Sequence, residues 1–130
     1  MNPRDFLRIA DSFRASGDEA ERRTSIGRSY YCLFNSLRDT LAAHGVRFAG
    51  DATDHELLAR HLTRNPNREA AKIGAALVSL RNQRNEADYR MQVPIRAEHS
   101  QLAFRRAQEY LRIFDSFNQA ALVSIVGGMR

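Results

Sequence analysis

The chain has 130 residues, of which 43% are apolar and 27% charged, a composition that supports a folded core and excludes a disordered chain. No run of about 18 apolar residues occurs, so a membrane-spanning helix is excluded as well. The net charge is +5 and Lys72 is the one lysine, which leaves arginine to carry almost all the positive charge.

A guanidinium fork binds phosphate oxygens in pairs, so this balance admits a nucleic-acid partner. It also suits an ordinary solvated surface, because acids alternate with the basic residues in ERR, RRAQE and LRD. Cys32 is the only cysteine and falls on an apolar helix face, where it reads as a small buried hydrophobe. The N-terminal MNPRDFLRIADSF has no apolar segment of a secretory signal, and a cytoplasmic protein is expected.

Apolar residues recur at helical spacing and no segment alternates like a strand. Asn2 and Pro3 are placed to start a short first helix with Phe6, Ile9, Ala10 and Phe13 on one face, ending before Gly17. Asp18 can cap a second helix on which Ile26, Tyr30, Leu33, Leu37 and Leu41 form the apolar stripe, with Gly45 as its terminator. This helix should be about 40 Å long. After a loop through Gly50 and Asp51, Thr53 and Glu56 have capping-box spacing for a brief helix over Leu57, Leu58 and Leu62. Asn65-Pro66-Asn67 ends it. A fourth helix is expected from about Arg68 to Arg90, with Ile73, Leu77 and Leu80 inside, until Val93-Pro94 breaks the pattern. A fifth begins near Arg96 and carries Ala103, Ala107, Tyr110, Phe114 and Phe117. Gly127-Gly128 reads as a frayed end. The expected architecture is an all-α, antiparallel, up-and-down four-helix bundle with one additional short helix, in one domain. Its core would span about residues 3–119, with 120–130 as a C-terminal tail.

Several chemistries fail on spacing. His55-Glu56 followed by His61 evokes a zinc helix, but the position four after His55 is Ala59. The four histidines are otherwise scattered, so no metal site is expected. Ser29 and Ser36 have no nearby base, and no glycine-rich phosphate loop occurs. Arg60, Arg64 and Arg68 around the Asn65-Pro66-Asn67 turn raise a helix-turn-helix reading. The helix that follows lacks base-reading residues separated from its apolar face.

The unusual stretch is LRNQRNEADY. On a helix, Arg81, Arg84 and Asp88 extend the Leu77 stripe, together with Asn85, as a polar continuation of a core-facing line. Such residues are rarely buried unpaired, so the stripe marks either an ion-pair network or a polar site. Tyr30 lies on the core stripe of the second helix and Tyr31 on its flank, about 100° away. A buried Tyr30 hydroxyl would need a partner, which the polar stripe of the fourth helix could supply.

At Arg28, Ser29, Tyr30, Tyr31 with Phe34, and at Arg84, Asn85, Glu86, Ala87, Asp88, Tyr89, the chain resembles the HEPN superfamily of small helical bundles. The resemblance runs over roughly Phe6 to Phe117. It is strongest to the subgroup with an Arg-x-x-Ala-Asp-Tyr ending, whose members stand alone or beside minimal nucleotidyltransferases. It implies an RNA- or nucleotide-binding protein, a homodimer, a nucleotidyltransferase partner and a toxin-like or accessory role in such a pair. No cofactor is implied. In the ribonuclease members an arginine and a polar residue precede a histidine that moves the proton of a ribose 2′-hydroxyl. Arg84-Asn85 fits the opening of that motif, but the places for the histidine hold Asp88, Tyr89 and Arg90. A carboxylate or phenol is a poor substitute for an imidazole, because its ordinary pKa lies far from neutrality. The catalytic positions to which the family pattern carries are therefore Arg84, Asp88 and Tyr89. The RNA- or nucleotide-binding positions are Arg28, Tyr31, Arg81 and Asn85. The alternative is a non-catalytic helical dimerisation or interaction module in which the same stripe fixes helix packing.

Overall fold

A computed structural model describes residues 1–129 as six helices, with no strand among them. They are α1 (Asp5–Phe13), α2 (Glu19–Ala43), α3 (Thr53–Thr63), α4 (Arg68–Tyr89), α5 (Ala97–Asp115) and α6 (Gln119–Gly128). The long helix α2 packs against α1, α4 and α5, while α3 packs on α4. The stripes expected from helical spacing form the core of this bundle. Ile26, Tyr30, Leu33, Leu37 and Leu41 of α2, with Ile73, Leu77 and Leu80 of α4, are essentially inaccessible. Cys32 is fully buried among them, and burial pushes its thiol up to about 11.

The helix ends follow local chemistry. Asp18 accepts the Ala20 N–H at 3.0 Å to start α2, and Asn67 accepts the Ala70 N–H at 3.1 Å to start α4. Gly45 ends α2 in the left-handed region at φ 96°. There Gly45 N–H donates to Ala42 O and Val46 N–H to Leu41 O, both at 3.0 Å, which is a Schellman closure.

Two expectations are corrected. Thr53 does not cap α3: it is the first helical residue, and Asp51 accepts its N–H at 2.9 Å. Asp54, rather than Glu56, is the anchoring acid, since its buried carboxylate accepts the Ala49 and Gly50 N–H groups at 2.8 Å each. Nor are residues 120–129 a tail. Asn118 accepts the Ala121 N–H at 2.8 Å to begin α6, and Ile125, Val126 and Met129 are buried. The glycines that read as a frayed end allow close approach instead, because a methyl at Gly128 would lie 3.1 Å from the Asn65 amide. That amide donates to Ile125 O at 3.0 Å.

The join between α2 and the end of α4 is made by two arginines in the first turns of α2. Arg23 donates to Ala87 O at 2.8 Å and to the carbonyls of Arg90 and Met91 at 3.3 Å. It also reaches Val93 O, and pairs with Glu19 at 3.1 Å. Arg22 donates to Ile95 O at 2.9 Å, and Glu19 accepts the Ile95 N–H at 2.9 Å. These bonds cap α4 and hold the connector to α5. With only 11% of its side chain exposed, Arg23 leaves several carbonyls unsatisfied if removed. Arg23→Ala should lower unfolding stability by about 2–3 kcal/mol, read as a fall in the urea midpoint at unchanged slope.

Candidate functional site

Three helices converge on one arginine-rich, aromatic face. From α2, Arg28, Tyr31 and Arg38 follow one another at turn spacing, with Tyr30 and Phe34 beneath them. From α4 come Arg81, Arg84, Asn85, Asp88 and Tyr89, and from the first turn of α3 comes His55.

The guanidiniums are held by aromatic faces and one carboxylate. Arg84 lies over the Tyr31 ring at 5.1 Å and over Tyr89 at 5.6 Å. Arg28 covers the same Tyr31 ring at 5.4 Å and Phe6 of α1 at 5.0 Å. Arg38 lies over Phe34 at 5.1 Å. Such contacts supply about 0.5–2 kcal/mol each and leave the donor edges of the guanidinium open to an anion. The Nε of Arg84 is 2.9 Å from Asp88 Oδ2, off the axis of a hydrogen bond, so this buried N–H has ion pairing but no bonded acceptor. Its Nη1 donates to Asn85 Oδ1 at 3.1 Å. Asp88 faces Gly27 of α2, where a methyl would make an ordinary contact with Asp88 Oδ1 at 3.9 Å.

The site residues read from the sequence therefore separate into two groups. Arg28, Tyr31, Arg84, Asn85, Asp88 and Tyr89 form one connected set. Arg81 makes none of these contacts: its charge acts on Tyr30 and His55 at the edge of the face, and it also lines a groove with Arg60 and Arg64. Tyr89 is the most open member, 71% exposed at the end of α4.

His55 is the residue that sequence reasoning missed. It fails the zinc spacing, and the sequence points to α4 rather than α3 for the partner of Tyr30. In the fold the Tyr30 hydroxyl is hydrogen-bonded to His55 Nδ1, and the imidazole stacks on Phe34 with centroids 4.1 Å apart. Tyr30 is inaccessible, and burial pushes its phenol well above the ordinary value, so the hydroxyl keeps its proton. The only hint in the sequence was that a buried tyrosine needs a partner, and that partner is 25 residues away on another helix. His99, by contrast, serves the backbone: its Nδ1 accepts the Arg96 N–H at 2.9 Å where α5 begins. Among the described residues, no group of three His, Cys, Asp or Glu side chains could hold a metal ion, and no helix is long and apolar enough to cross a membrane.

Comparison with protein-family models, with curated proteins and with solved structures returns no match for this chain.

Burial lowers the pKa of His55, and the positive charges of Arg81, Arg84 and Arg38 lower it further against a small opposing effect of Asp54. The imidazole is thus neutral in the fold at pH 7. A group with a depressed folded pKa contributes stability that is complete above its unfolded value of 6.5 and is lost as pH falls through the folded value. Acidification below pH 6.5 should therefore lower the thermal midpoint. His55→Phe should flatten that dependence, measured by circular dichroism melts across the pH range.

Proposed function

We propose that this chain is a HEPN-like, antiparallel helical bundle that binds RNA on the face built from α2, the start of α3 and the end of α4. The observation that carries the reading is the pair of guanidiniums, Arg28 and Arg84, sharing the Tyr31 ring, one of them aimed by Asp88. Stacking fixes the plane of each guanidinium while its outer N–H groups stay available, which is what bidentate recognition of a phosphodiester requires. Single-stranded RNA adds unpaired bases, and the exposed Tyr89 ring beside Arg84 offers them a stacking platform. Asn85 supplies a further polar group next to Arg84.

The imidazole on this face is His55, neutral and tied through Nδ1 to Tyr30. In the tautomer whose Nδ1–H donates to the Tyr30 oxygen, Nε2 of the neutral ring is free to take a proton, so His55 takes the place in the chemistry that Asp88 and Tyr89 fill poorly. Ribonuclease activity resistant to chelator and abolished in His55→Ala would add cleavage to the binding. Full activity in that variant would remove His55 from the reaction.

A second reading, a non-catalytic homodimerising interaction module, draws on the contacts of Arg84 with Asp88, Asn85 and Tyr31 inside one protomer. The two readings diverge on RNA. Arg84→Ala should weaken binding of a single-stranded oligoribonucleotide by about tenfold or more and reduce its salt slope by about one, in fluorescence anisotropy at several salt concentrations. Tyr89→Ala should weaken it by about 1–3 kcal/mol with little change in that slope. Unchanged affinity and slope in Arg84→Ala would end the RNA reading, and a change of oligomeric state in the same variant would favour the module.

A further inference from the structure

Beside the aromatic face, α3 and α4 enclose an open groove of about 340 Å³ lined by Glu56, Arg60, Arg64, Val78, Arg81 and Asn82. The groove is made by close packing at one point. A methyl at Gly74 of α4 would come within 2.6 Å of the Thr63 nitrogen, so only glycine lets the end of α3 lie this near α4. Arg60 lies in the last turn of α3 and Arg64 is its C-cap, and Arg81 meets them from α4. Among the described residues none of these three guanidiniums enters an ion pair, although seven other cations of the chain do. Glu56 is the one carboxylate in the lining, which leaves an excess of two positive charges. Val78, 42% exposed, gives the groove an apolar patch.

We infer that this groove binds a phosphomonoester dianion. The charge excess matches the near-double negative charge of a monoester at neutral pH, whereas a phosphodiester carries only one. Guanidiniums arriving from two helices can contact separate oxygens of one phosphoryl group, and the Asn82 amide adds a donor. Val78 provides contact for the sugar or base that carries the phosphate. The source of the monoester is either the terminal phosphate of an RNA strand or a free nucleotide. The groove shares Arg81 with the edge of the RNA face but uses Arg60 and Arg64, which that face does not, so these two positions test it separately from that reading.

The test compares binding of a 5′-phosphorylated oligoribonucleotide with its 5′-hydroxyl form, and of adenosine 5′-monophosphate with adenosine, by anisotropy and calorimetry. The phosphorylated member should bind about tenfold tighter, and Arg60→Ala and Arg64→Ala should each remove most of that preference while remaining folded in melts. Arg84→Ala should weaken both oligonucleotides but keep their ratio. Preference in the oligonucleotide pair alone supports a strand end as the source, and preference in both pairs supports any nucleotide. Equal affinity within both pairs overturns the inference. So does a preference that survives in Arg60→Ala and Arg64→Ala, since these arginines would then only offset the negative C-terminal end of α3.

Discussion

The arrangement of this protein depends on one guanidinium, that of Arg23. An α-helix ends with carbonyls that have no partner in the helix, and those at the end of α4 point into the junction with α2 and the connector to α5. Arg23 donates to the carbonyls of Ala87, Arg90, Met91 and Val93, and its charge complements the negative end of the helix. Glu19 neutralises it and takes the Ile95 N–H as well, a bond that, with the nearby Arg23, holds the Glu19 carboxyl below the usual range. The last two turns of α4 are thereby registered against α2. That register sets Asp88 over Gly27 and Arg84 over Tyr31.

Concentrating positive charge on one face would be costly without compensation, and three kinds are visible. Aromatic rings accept Arg28, Arg38 and Arg84 on their faces. Asp88 balances Arg84 directly. The neighbouring titratable groups stay uncharged, with His55 held neutral and Tyr30 held as a phenol by the same burial. The remaining excess, on Arg81 and along α3, is not balanced within the chain by any ion pair among the described residues. The α3–α4 groove therefore differs in kind from the aromatic face: one holds its arginines with rings and a carboxylate, the other leaves them free.

The helices themselves were readable because helix formation is written in local periodicity and end chemistry. Asp18, Gly45 and Asn67 mark their boundaries by hydrogen bonds that span only a few residues. A local pattern with two possible outcomes is less legible. Thr53 and Glu56 have the spacing of a capping box, yet the nearby Asp51 and Asp54 take the backbone donors. Gly127 and Gly128 weaken a helix in isolation, yet Gly128 fits against Asn65 and Pro66, a contact visible only in three dimensions.

By itself the sequence determined the all-helical class, the apolar stripes of α2, α4 and α5, and the stretch from Arg81 to Tyr89 in which a core line turns polar, because these rest on spacing along one helix. Tertiary structure alone decided that His55 is the partner of Tyr30, that Arg81 lines the α3–α4 groove while Arg84 lies over Tyr31, and that residues 119–128 return to the core. The reason is physical: a hydrogen bond, a stacked ring or a shared groove between separate helices depends on their rotation and register. Those are set by packing at Gly74 and Arg23 rather than by any pattern within one helix.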